Sequence, residues 1–212
     1  MSNNRNYTRG EEITNAILHG IGLGLAIAAL VILLVLGNRH GNVWHIVAYS
    51  IYGSSLIMLY LSSTLYHSFP EGKGKNILRI IDHSSIFLLI AGTYTPLTLI
   101  LLRGNWGWTI FALVWGIALI GILLKIIYIN KLKYFSTLLY LIMGWLVILV
   151  IKPLLAVINK PGLIFLIIGG LLYTSGIFFY SCEKIKYNHA IWHLFVLGGS
   201  ICHFFTVLYL LY

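Results

Sequence analysis

The chain has 212 residues, of which 59% are hydrophobic and 9% charged, and its mean hydropathy is +0.92. A soluble domain of this length carries more charge and breaks its apolar runs more often, so the composition excludes one and points to a single integral membrane domain. The formal net charge of +9 suggests a nucleic-acid partner, but the 14 basic residues stand in short clusters between apolar runs and form no continuous stripe. No nucleic-acid binding is expected; such clusters set orientation and meet anionic lipid head groups.

In chain order, seven apolar runs are read at 13–36, 43–66, 78–101, 107–128, 132–151, 161–180 and 189–211. Each is close to or above the roughly 20 residues a helix needs to cross the hydrocarbon core. Short breaks rich in Gly, Asn, Pro and Lys separate them, among them "GNRHGN" at 37–42, "FPEGKGK" at 69–75 and "NKPG" at 159–162. Transmembrane strands would be shorter and alternate in polarity. The expectation is an all-α integral membrane protein, a seven-transmembrane helix bundle, with a short cytoplasmic segment at 1–12 and one membrane domain at 13–212. Cys182 and Cys202 form no spacing motif and are expected to stay unpaired.

Orientation follows from Lys and Arg. One end of the bundle collects Arg5, Arg9, Lys73, Lys75, Arg79, Lys125, Lys131, Lys133, Lys184 and Lys186, and the other only Arg39, Arg103, Lys152 and Lys160. The positive-inside rule puts the N-terminus in the cytoplasm and the C-terminus outside. Trp44, Trp106 and Trp108 then fall where an interfacial aromatic belt is expected.

Polar side chains inside spans carry the most information, because each costs free energy unless it is paired, wet or ligating. Span 1 opens with Glu11, Asn15 and His19, and span 2 ends with Ser63 and His67. Asp82 lies near the start of span 3, and His189 and His193 in the first turns of span 7. Residues four apart share a helix face. Alternating span directions bring all four groups to one depth, in the cytoplasmic half. His67, His189 and His193 can therefore make a three-nitrogen metal face, and three protein ligands with an open fourth position describe a catalytic type of Zn²⁺ site. Iron or another divalent ion also accepts imidazole. Asp82 is placed to hold a water at the open position or take its proton, and Ser63 to donate a hydrogen bond beside it.

Blander readings stand beside these. Histidines at helix ends meet head groups, Asp82 could cap span 3, and Ser63 could bond back to its own helix. His40 and His45 read as solvated, and Glu11, Asn15 and His19 as an interhelical hydrogen-bond stripe. His203, roughly 15 Å beyond His193 by helix rise, reads as a cavity-lining or core histidine. Gly20, Gly22 and Gly24 read as close helix packing, and Pro96 as a kink or a released carbonyl in span 3.

Four stretches, "EEITNAILHGIG", "SSTLYH", "IDHSSIFLLIAGTYTP" and "HAIWHLFVLGGSICHF", together resemble the bacterial hemolysin III family, the prokaryotic branch of the progestin and adipoQ receptors. The resemblance covers nearly the whole chain. It implies seven helices with a cytoplasmic N-terminus and a zinc ion near the cytoplasmic face. By motif the ligands fall on His67, His189 and His193, with Asp82 beside the zinc and Ser63 in the motif preceding His67. Ceramidases of the wider superfamily imply hydrolysis of a lipid amide or ester, in a multi-pass protein of the bacterial plasma membrane. Two further functions stay open: a non-enzymatic sensor of lipid homeostasis with a structural zinc, and a pore-forming cytolysin. Against the pore, a toxin must be soluble before it inserts, and the chain lacks the charged rows of a conduction path.

Overall fold

The computed structural model describes residues 7–128, 133–182 and 184–212, with the backbone alone at 133 and 134. Arg5, Lys131 and the side chain of Lys133, all part of the basic count above, fall outside the described residues. Seven helical spans are long and apolar enough to cross a membrane. They are α1 (Arg9–His40), α2 (Val43–Ser68), α3 (Lys73–Pro96), α4 (Asn105–Tyr128), a fifth span in two pieces, α5 (Lys133–Trp145) and α6 (Ile151–Leu155), then α7 (Lys160–Ser181) and α8 (Asn188–Leu208). The helices begin where local chemistry supplies partners for their free N–H groups. Thr8 and Glu11 form a reciprocal capping box on α1, Asn42 and His45 do so on α2, and Asn159 caps α7 just ahead of Pro161. His45 is therefore half-buried in a cap, not simply solvated as expected, whereas His40 is exposed.

Sequential spans pack on one another, and α1 lies against α8, which closes the ring. One core cluster joins α1, α2 and α8 through Leu33, Tyr49, Tyr52, Tyr60 and Val196. A second joins α3, α4 and the fifth span through Phe87, Tyr94, Val114, Met143 and Leu154. Of the three span-1 glycines, Gly22 alone is a close approach. A Cβ there would stand 2.5 Å from the Tyr60 ring, while Gly20 has ordinary contact and Gly24 has open space.

Pro96 ends α3 in a wide turn. The next five residues, Leu97–Leu101, form a π-helical stretch, closed by a bond from Leu102 N–H to the Leu97 carbonyl at 2.9 Å. Around it, the Thr95 and Thr98 hydroxyls donate to the Ala91 and Tyr94 carbonyls of their own helix. The sequence gives less warning of the break in the fifth span. Leu146–Val150 is 3₁₀ helix, one residue after Gly144-Trp145 and shortly before Pro153. Tyr94 bridges the break: its hydroxyl donates to the Gly144 carbonyl at 2.9 Å and accepts from Val147 N–H at 2.8 Å.

The two ends of the bundle differ as the basic count requires, with two changes. Lys75 and Lys125, read as loop charges, lie inside α3 and α4 and are buried, at 7% and 3% exposure. Both remain at the basic end. At the opposite end Arg103 stacks over Trp44, 4.2 Å from the ring centroid, and Trp44 meets Trp108 edge-on. Cys182 and Cys202 are both free thiols.

Candidate metal centre

His67 lies in the last turn of α2, and His189 and His193 in the first two turns of α8. Spacing four puts the α8 pair on one face, and α8 runs past the end of α2, so three imidazoles meet. One ring nitrogen from each lies within 4.8 Å of the other two. A tetrahedral ion with bonds of about 2 Å holds its ligands roughly 3.3 Å apart, a spacing that small ring rotations reach from here. All three rings are buried, which removes the reading of histidines resting among head groups.

The donor chemistry fits an ion. Nε2 of His67 and at least one ring nitrogen of His193 are buried without a hydrogen-bond partner, the His193 ring otherwise meeting the Asn15 backbone. Such atoms are costly unless something takes their lone pairs, and here they converge. On the opposite side of the rings, Glu12 Oε2 accepts from His67 Nδ1 at 2.5 Å, and the Tyr7 hydroxyl meets His189 Nδ1 at 3.1 Å. His19 lies parallel to His193, with ring centroids 3.5 Å apart.

Asp82 is buried in α3 near this cluster. It lies nine residues past the helix start, about 13 Å along the axis, so it is no cap. Ser63 sits one turn before His67, and its hydroxyl turns to the Asp82 carboxylate and not back to its own helix. That separates it from its neighbours on α2. Ser50, Ser55, Ser62, Thr64 and Ser68 all donate back to their own helix. The stripe expected on α1 holds for Glu11 only, which accepts from Tyr187 N–H at 3.2 Å. The Asn15 and His19 side chains are buried with no hydrogen-bond partner.

A cavity of about 420 Å³ runs inward from Asp82, Lys125 and His189 between walls supplied by α3, the fifth span, α7 and α8. Its walls are mainly apolar, and His203 lies deep in it, edge-on to Tyr173. His203 thus lines the cavity as expected and takes no part in the three-histidine cluster.

Sequence reasoning overlooked Glu12, Tyr7 and the role of His19. A signal existed for one of them: Glu12 is two helical turns from His19 and shares its face.

The chain matches the family model described as "Haemolysin-III related" over residues 7–204. It is 51% identical over 203 residues to the Hemolysin-3 homolog of Bacillus subtilis (strain 168), covering 96% of this chain and 95% of that protein. It is also 51% identical over 199 residues to Hemolysin-3 of Bacillus cereus, covering 94% and 91%. A more distant likeness, 28% over 208 residues, links it to the human monocyte to macrophage differentiation factor, covering 95% of this chain and 85% of that one.

Proposed function

Because the chain belongs to the haemolysin-III-related family of multi-pass membrane proteins, we propose that its buried three-histidine centre holds zinc and serves hydrolysis of a lipid amide or ester. The observation that carries this reading is the site's position. Of the three histidines, His189 lines an apolar-walled cavity of about 420 Å³, and the buried Asp82 carboxylate lines it as well. A closed structural site would instead surround its ion with four protein ligands.

His67, His189 and His193 would hold the ion. When bound, zinc would polarise the scissile carbonyl and make a nearby water acidic enough to attack at neutral pH. The apolar walls receive the acyl chain and keep bulk water out. Asp82 takes the proton of the attacking water on a carboxylate oxygen and returns it to the departing nitrogen or oxygen as the acyl bond breaks. Ser63 Oγ, free of its own helix, donates to the oxygen on which negative charge develops. On the positive-inside rule the N-terminus lies in the cytoplasm and the centre in the cytoplasmic half of the bilayer.

Purified protein reconstituted with zinc, incubated with a panel of N-acyl and O-acyl lipids, should release free fatty acid. Asp82→Asn should keep its zinc and release none. A zinc-loaded wild type that cleaves no lipid of the panel would leave the ion as a staple between α2 and α8. The relatives named Hemolysin-3 bring a third reading, membrane lysis. The apolar cavity offers ions no continuous polar path, and dye-loaded liposomes carrying the protein should stay sealed.

A further inference from the structure

The three candidate ligands come from α2 and α8, yet each is touched on its far side by a side chain from one other stretch, Tyr7 to His19. The strongest of these contacts is at Glu12. Its two carboxylate oxygens are divided: Oε2 accepts from His67 Nδ1 at 2.5 Å, and Oε1 accepts from Lys75 Nζ at 2.6 Å. Lys75 also donates to the Phe69 carbonyl just past the end of α2, at 3.2 Å. The side chains of His67, Lys75 and Glu12 are 0%, 8% and 16% exposed, so the arrangement is largely desolvated and solvent exchange does little to blur it.

An ionised carboxylate has no proton to donate. Nδ1 of His67 must therefore be the N–H, which in the neutral ring, the form that ligates, leaves the lone pair on Nε2. Nε2 is the nitrogen of this ring that is buried without a partner. Glu12 thus selects the tautomer that can ligate and fixes the ring angle, while Lys75 holds the carboxylate in place from behind. The Tyr7 hydroxyl, which can donate or accept, meets His189 Nδ1 and holds that ring's angle without selecting its tautomer, and His19 fixes the plane of His193 by stacking.

We propose that Glu12, held by Lys75, is a positioning residue of the metal centre, and that the opening of α1 supplies the outer layer around ligands it does not itself contribute. The proposal rests on the reading of His67, His189 and His193 as metal ligands, but it can fail separately.

The test uses the full chain in detergent, stripped of metal and titrated with Zn²⁺ against a competing chelator, then reloaded with Co²⁺ to read its visible absorption. Loss of such a partner costs about 10–100-fold in metal affinity, and Glu12→Ala is expected to fall in that range with altered Co²⁺ bands. Glu12→Gln keeps an acceptor oxygen for Nδ1 and is expected to recover most of the affinity and the wild-type bands. Wild-type affinity and an unchanged Co²⁺ spectrum in Glu12→Ala would overturn the role of Glu12 and leave the ligand assignment intact. A wild type that takes up no Zn²⁺ would overturn both. Should Glu12→Ala not fold, the metal-free wild type decides the matter through ¹⁵N NMR of its histidine rings. A His67 protonated on Nδ1 is expected, and one protonated on Nε2 would overturn the proposal.

Discussion

The two halves of the bundle are built differently. Around α1, α2 and α8, large side chains interlock and several buried tyrosine hydroxyls are paired. Tyr60 donates to Ser200 at 2.7 Å, Tyr49 to the Val207 carbonyl at 3.2 Å, and Gly22 lets the Tyr60 ring approach the α1 backbone. Across the bundle, α5 packs only sparsely on α3, α4 and α7, and the fifth span is broken in its middle. The tight half carries the candidate ligands, and the loose half walls the cavity. A metal centre needs its donors fixed within fractions of an ångström, whereas a chamber for flexible acyl chains needs only apolar walls of adequate volume.

That contrast can be broken most severely at the ligands. The double variant His67→Ala, His189→Ala should lose essentially all bound metal by elemental analysis, from an expected one ion per chain. Full metal content would end the assignment. Next in size, Asp82→Asn should retain the ion and lower lipid hydrolysis by about 10²–10⁴-fold, the usual worth of a general acid–base. Ser63→Ala should cost about 10²-fold, as for a single donor to a developing oxyanion. An unchanged rate in either variant would remove that residue from the chemistry.

Packing is the third point of attack. Gly22→Leu forces a side chain into the Tyr60 ring and should destabilise by about 1–3 kcal/mol, read as a fall in detergent melting temperature. Gly24→Leu, two residues on with nothing within 4 Å, should stay within about 0.5 kcal/mol. Equal effects would mean that α1 is not seated as described. A smaller loss than at Gly22 is expected in the loose half. Tyr94→Phe removes one hydroxyl and two hydrogen bonds across the break in the fifth span, worth about 1–2 kcal/mol. Faster amide exchange at 144–150 should report it, with no change in metal content.

Much of the architecture was legible in the sequence because bilayer thickness imposes a length on every span, and runs such as 43–66 and 161–180 end where the helices do within about two residues. The meeting of His67 with His189 and His193 was legible too. Counting spans sets their depth, and spacing four sets their face. The Glu12–His67–Lys75 arrangement was not. It depends on how α1 leans across the ends of α2 and α3, which no single-helix pattern encodes, and Lys75 looked like an ordinary loop cation. The break at Leu146–Val150 escaped for a similar reason: its stabilising partner, Tyr94, lies 50 residues upstream of Gly144. Gly20 and Gly24 read like Gly22 in sequence, and only the position of the Tyr60 ring tells them apart.

The ligands' separation along the chain bears on biogenesis. His67 is delivered by the second crossing, and His189 and His193 by the final one. A nascent protein still emerging from the ribosome holds a lone imidazole already leaning on Glu12, and it gains a multidentate grip only when its last hydrophobic stretch enters the lipid. On the proposed reading, loading with an ion would be tied to the completion of insertion.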